Sequence, residues 1–197
     1  MKRRTFIKKN AIVTLAPFIT TGLLARNKKI KSLSEKPFQL NYAPHFGMFE
    51  SMAGKDLIDQ IQFMHDQGFR SLEDNGMKNR SKKTQNDIAK KMEELVMSMG
   101  VFVGHKIYWK EPNLTSGDKS LQDEFVENIR DSVEVAKRVN ATWMTIVPGH
   151  IDLKKEMDYQ TANVIEALKR AAEILAKHNL VMVLEPLNWW SNHAGQY

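Results

Sequence analysis

From Pro37 onward two periodicities alternate along the chain. Short apolar runs occur at Phe38–Ala43, Phe69–Glu73, Val101–Tyr108, Thr142–Val147 and Leu180–Leu184. Between them apolar residues recur three and four positions apart: Leu57, Ile58, Ile61, Met64; Ile88, Met92, Leu95, Val96, Met99; Leu121, Phe125, Ile129, Val133, Ala136; and Ala162, Ile165, Leu168, Ala172, Leu175. The first spacing is that of strands and the second that of one helix face, so the pattern predicts strictly alternating strands and helices. Gly68, Gly100, Asn140 and Asn179 follow the helical stripes and accept the left-handed conformation that closes a helix. The last run, Leu180–Leu184, is continuously apolar, as expected of a strand buried on both faces of a parallel sheet. It runs directly into Glu185–Pro186–Leu187–Asn188.

Alternating strands and helices specify an α/β fold with a parallel sheet and right-handed crossovers. A complete (β/α)8 barrel needs eight such units and roughly 250 residues. This chain has 197 residues, and only Pro186–Tyr197 follows its fifth strand, without a covering helix. The fold is therefore read as a (β/α)8 TIM-barrel type truncated after the fifth strand. A self-sufficient open sheet of five βα units is the alternative architecture.

The N-terminus follows a different pattern. Lys2, Arg3, Arg4, Lys8 and Lys9 precede an uncharged apolar stretch, Ala11–Ala25, broken by Pro17. Arg3–Arg4–Thr5–Phe6–Ile7–Lys8 resembles the twin-arginine export signal. The expected organisation is an export signal at 1–25, a linker at 26–37 and the partial barrel at 38–197. Export to the periplasm follows from this reading, with membrane contact only transient and through the signal.

That division changes the meaning of the charge. The whole chain carries a formal +6, but its first 25 residues hold five Lys/Arg and no acid, and the linker is basic as well. The folded part is near neutral or slightly acidic, which argues against a nucleic-acid partner because phosphate binding needs a basic face. The chain has no cysteine, which excludes disulfides, thiolate metal sites and a cysteine nucleophile. Unpaired sheet edges in an open barrel leave room for self-association.

In a parallel α/β fold the chemistry sits at the carboxyl ends of the strands. The polar residues collected there include Asn41 and His45 from the first strand, Glu73 from the second, His105 and Lys106 from the third, His150 after the fourth, and Glu185 and Asn188 from the fifth. Carboxylates and imidazoles on one rim suit divalent-metal binding or proton abstraction beside a carbonyl. His105 and Lys106 are adjacent on a strand, so only one faces the axis, and His105 is favoured. Glu185, approached by Leu180–Leu184, is expected to be desolvated and to need a cationic partner. Trp189 and Trp190 are candidates for the wall of a sugar-sized pocket.

The segments Asn41–Tyr42–Ala43–Pro44–His45–Phe46, Gly68–Phe69–Arg70–Ser71–Leu72–Glu73, Ile146–Val147–Pro148–Gly149–His150 and Val183–Leu184–Glu185–Pro186–Leu187–Asn188 together resemble the xylose-isomerase-like TIM-barrel superfamily. Within it, the similarity is to the hydroxypyruvate isomerase and sugar epimerase branch, and it runs from about Phe38 to the end. The resemblance implies an isomerase or epimerase that moves a proton between adjacent carbons of a small hydroxy-carbonyl compound or sugar. In that family two glutamates hold a divalent metal, Mg²⁺ or Mn²⁺, and shuttle the proton through an enediolate. Glu185 matches the first of these glutamates, as catalytic residue and metal ligand; the second comes from later strands that this chain does not contain. Asn41, His45, Glu73, His105, His150 and Asn188 are the expected substrate contacts. The competing functional class is a non-catalytic sugar-binding or scaffold protein.

Overall fold

A computed structural model describes residues 36–197. The export signal and nearly all of the linker expected from the sequence lie outside the described residues. In chain order the elements are α1 (Glu50–Ala53), α2 (Leu57–Asp66), β1 (Ser71–Leu72), α3 (Lys82–Glu94), β2 (Ser98–Met99), α4 (Lys119–Val139), β3 (Trp143–Ile146), α5 (Met157–Ala176) and β4 (Val181–Leu184). Single 3-10 turns at Met77–Asn79 and Leu114–Ser116 lie in the loops after β1 and before α4.

The helices begin where the sequence offers a side-chain acceptor for the first free N–H groups. Asp56 accepts from Ile58 and Asp59 at the start of α2, Ser81 from Thr84 at α3, and Asp118 from Ser120 and Leu121 at α4. Helix α4 ends on Asn140, whose φ of 52° supplies the expected left-handed residue. Its stripe of Phe125, Ile129, Val133 and Ala136 is buried, and it meets Phe102, Met144 and Ile146 of the sheet in a continuous core.

Helix α3 differs from the expectation. It stops at Glu94, and the left-handed residue that follows is Val96, with φ 53°. Met97 and Met99 therefore leave the helix, and β2 begins at Ser98, earlier than the run Val101–Tyr108 suggests. Gly100 becomes a close-approach position in the sheet: a Cβ there would lie 3.2 Å from Glu73 Cβ and 3.3 Å from the Leu72 carbonyl oxygen.

Both strand pairings among the described residues are parallel and follow chain order. Ser71 and Leu72 of β1 pair with Ser98 and Met99 of β2, and Trp143–Ile146 of β3 pair with Val181–Leu184 of β4. Isolated parallel bridges join His45 to Glu73 and Val103 to Thr145. They link the segment ending at His45, β1, β2, β3 and β4 into one sequential series. A doubly wound sheet reverses its strand order at a switch point, whereas a barrel adds each strand beside the last. The arrangement is therefore an open arc of a TIM-barrel-type sheet, with no closure among the described residues.

The expectation that Leu180–Leu184 is buried on both faces does not hold. Val181, Val183 and Leu184 are 47%, 38% and 47% exposed. Strand β4 is the edge of the arc: it pairs with β3 on one side, and α5 packs against one face only. The apolar run fits a covered sheet, and the cover over its second face is absent among the described residues. Among these residues, too, no helix is long and apolar enough to cross a membrane.

Candidate functional site

The carboxyl ends of the strands come together on one side of the arc. Beyond β1 the backbone of Glu73 donates to the Pro44 carbonyl, which brings His45 alongside. His45 Nε2 lies 2.6 Å from Glu73 Oε1, with the side chains 44% and 26% exposed. The next residue, Asp74, is buried and held by both Arg80 nitrogens and by the Gly76 N–H. Its charge is fully engaged in shaping the loop.

A cavity of about 630 Å³ opens beside these ends, with Lys78, His105, Trp109, Asn128, Glu185 and His193 on its wall. The C-terminal turn helps to build it. The Ile151 N–H donates to the Gly195 carbonyl, the Tyr197 N–H donates to the Gly149 carbonyl, and the buried Gln196 Nε2 donates to the carbonyls of Tyr108 and Trp109. These bonds lay His193 on Trp109, with ring centroids 5.6 Å apart and planes 26° from parallel. A flat aromatic pair of this kind is suited to an apolar sugar face.

Of the eight polar rim residues named from the sequence, His105, Lys106 and Glu185 line this cavity. Glu185 projects from the end of β4, its N–H bonded to the Ile146 carbonyl. Its carboxylate has no hydrogen-bond or ion-pair partner among the described residues, and the residue is exposed, not desolvated as expected. The cause is the open edge of β4, which leaves water on the side where burial was anticipated.

His105 reaches the cavity wall from a buried position. It is 4% exposed, its ring stands edge-on to Phe125 of α4, and Nε2 accepts the Val147 N–H at 3.0 Å. The imidazole thus replaces a ladder carbonyl where the third strand leaves the sheet. Burial pushes its pKa down to about 4, and the Lys78 charge adds to the effect. At neutral pH the ring is uncharged, and the proton must sit on Nδ1, since Nε2 accepts. Nδ1 itself has no hydrogen-bond partner among the described residues. His105 is a structural cross-strand acceptor.

The remaining candidates are placed elsewhere. Asn41 donates to the Ser98 hydroxyl at the amino end of β2 and does not line the cavity that holds Glu185. An unpaired loop before the first sheet bridge gave the sequence no way to tell which end of the strand Asn41 occupies. His150 bonds through Nδ1 to the Ile151 carbonyl and is covered by Gly195, whose backbone packs against the ring. Asn188 Oδ1 accepts from the N–H groups of Trp190 and Ser191 and organises the turn after β4. Trp189 and Trp190 pack edge to face at 5.3 Å on the exposed surface, away from the cavity wall. Lys78, Trp109 and Asn128 were missed, because each depends on a loop path that no periodicity encodes.

The residues present do not fit a divalent metal. Among the described residues no three His, Asp or Glu side chains are grouped to hold one. Glu73 is engaged by His45, and Glu185 is a single carboxylate, too few donors for a defined coordination sphere.

A family model described as xylose isomerase-like TIM barrel matches residues 61–196. No curated protein matches the chain. Among solved structures, an AP endonuclease, family 2, from Brucella melitensis superposes with a TM-score of 0.60 at 17% identity, over 78% of this chain and 57% of that one. D-psicose 3-epimerase with D-tagatose from Clostridium cellulolyticum H10 gives 0.60 at 16% identity, over 78% and 55%. The 3-keto-D-glucoside 4-epimerase from E. coli gives 0.61 at 14% identity, over 79% and 59%. At these identities the likeness is one of fold. The match spans little more than half the length of each of these proteins.

Proposed function

We propose that this chain, which belongs to the xylose isomerase-like TIM barrel family, binds a small hydroxy-carbonyl compound or sugar and shifts a proton between its adjacent carbons. The observation that carries the reading is the unpartnered Glu185 carboxylate on the wall of a cavity that also holds the stacked Trp109–His193 pair. The D-tagatose held by the structurally similar D-psicose 3-epimerase supports a sugar-sized ligand.

Glu185 takes the proton from the carbon next to the carbonyl. The C–H electron pair moves into the carbon framework and the carbonyl oxygen becomes an enediolate oxygen. Return of the proton to the neighbouring carbon, with the hydroxyl proton of the carbon that lost it passing to the former carbonyl oxygen, isomerises the compound; epimerisation would need a second proton donor on the opposite face. The metal-assisted form of this chemistry, as in a hydroxypyruvate isomerase, would need carboxylates beyond those described. The reading is therefore confined to proton transfer by Glu185.

The test is deuterium exchange from solvent into the α-carbon of dihydroxyacetone, hydroxypyruvate and D-fructose, followed by NMR. Exchange that falls at least about a hundredfold in Glu185→Gln supports the reading, in line with loss of a general base. Exchange unchanged in that variant overturns it. A binding-only role is the second reading, favoured by the exposure of Glu185 and its lack of a second carboxylate; ligand binding without exchange would identify it. Arg3–Arg4 and the uncharged stretch after them support export through residues 1–25. Retention in the cytoplasm after replacement of both arginines by lysine is the expected result.

A further inference from the structure

Lys78 is a cation on the cavity wall whose hydrogen-bond partners among the described residues are both neutral. It sits in the 3-10 turn Met77–Asn79 after β1, half-buried. Its Nζ donates to the Asn128 carbonyl at 2.6 Å and to the Ser132 hydroxyl at 2.9 Å, both on α4. Ser132 in turn donates its own proton to the Gly104 carbonyl at 2.5 Å, so it meets Lys78 as a fixed acceptor. Both partners are neutral, and among the described residues the third ammonium proton has no partner and no carboxylate lies within ion-pair distance of Nζ. Burial lowers the pKa of Lys78, with Asp131 of α4 acting against this from farther away.

The other charged groups on the wall do not cancel it. Lys106 is exposed and held by the Tyr108 hydroxyl at 2.8 Å and by Glu124 at 3.4 Å. His105 is neutral at physiological pH. Glu185, the one carboxylate on the wall among the described residues, comes from the end of β4, three strands along the arc from β1. A turn pinned to α4 by two hydrogen bonds needs only a neutral donor. A half-buried ammonium is costly unless something negative joins it.

Resting on the proton-transfer reading above, we infer that Lys78 makes this cavity select hydroxy-carbonyl compounds with an anionic end, a carboxylate or a phosphate, over neutral sugars. The anionic group accepts the third Lys78 proton, and the carbonyl end of the compound extends towards Glu185. The flat Trp109–His193 pair covers the body of the ligand.

The experiment uses three compounds that differ at one end: dihydroxyacetone, which is neutral, hydroxypyruvate, which carries a carboxylate, and dihydroxyacetone phosphate. Binding to the full chain is measured by calorimetry. At least one anionic compound is expected to bind about tenfold or more tightly than dihydroxyacetone, the scale of one charge-assisted contact. Whichever of the two binds more tightly identifies the group. In Lys78→Met the preference should collapse towards one, and in Lys78→Arg it should be largely kept. Equal binding of all three compounds, or a preference untouched in a folded Lys78→Met protein, overturns the inference and leaves the proton-transfer reading standing. If Lys78→Met does not fold, the wild-type preference and its loss in high salt decide the matter; a preference that salt does not weaken overturns the inference. If none of the three binds, the proton-transfer reading fails and this inference fails with it.

Discussion

His45 Nε2 and Glu73 Oε1 lie 2.6 Å apart across the first bridge of the sheet, and both side chains are partly open to water. An ion pair this accessible contributes only about 0–1 kcal/mol to folding. A double-mutant cycle with His45→Gln and Glu73→Gln should therefore give a small coupling in urea unfolding. If the pair positions substrate, the same substitutions lower α-proton exchange by about tenfold or more, the usual scale for loss of a charge-assisted contact. A coupling of several kcal/mol would instead make the pair a structural clasp.

His105 makes stability depend on pH. Its folded pKa of about 4 lies below the ordinary 6.5, so between these values the unfolded chain binds the extra proton. The contribution is fully present above pH 6.5 and is lost as the pH falls through that window towards 4. For a group this buried it amounts to roughly 3 kcal/mol. Urea unfolding of the wild type at pH 7 and pH 4.5 should show this loss. His105→Asn should be less stable at pH 7, with a flatter pH dependence. Parallel pH profiles in the two proteins would remove His105 as the cause.

The behaviour of His105 and Glu185 shows what a sequence can carry. The alternation of apolar runs and stripes located α2 to α5 and the strands β1, β3 and β4 closely, because burial against a sheet imposes those periods, whereas the short α1 was not foreseen. Glu185 was recognisable as a carboxylate at a strand end. Its solvent exposure was not, because that depends on what covers β4 and not on β4 itself. His105 was assigned to the rim from strand alternation, but the third strand leaves the sheet there and the ring turns to satisfy Val147. Lys78 and Trp109 reach the cavity through loops, whose paths follow from turns and the Gln196 clasp and not from any repeat.

Val96 is the position where local preference and structure conflict. It closes α3 with φ 53° and is 84% exposed. A β-branched residue in the left-handed region is strained, and a surface site offers little burial to offset the strain. Val96→Gly should raise the unfolding free energy by about 1 kcal/mol, with the gain limited by the greater freedom of glycine in the unfolded chain. Chemical denaturation at neutral pH checks this. A loss of stability would mean that the Val96 side chain makes packing contacts that outweigh the strain.

Gly100 ties the sheet to the site. It lies beside β1, where an added Cβ would stand 3.2 Å from Glu73 Cβ, 3.3 Å from the Leu72 carbonyl oxygen and 3.5 Å from Ala43 Cβ. None of these atoms is the far end of a flexible side chain, so Gly100→Ala must displace backbone or the root of Glu73. Overpacking of this kind costs about 1–3 kcal/mol. Because the Gly100 N–H also donates to the Leu72 carbonyl at 2.7 Å, the displacement acts on the register that carries Glu73 towards His45. Gly100→Ala should therefore lower stability and shift the His45 imidazole resonances together. If the protein loses stability while the His45 signals stay unchanged, the strain is being absorbed on the β2 side and Glu73 keeps its place.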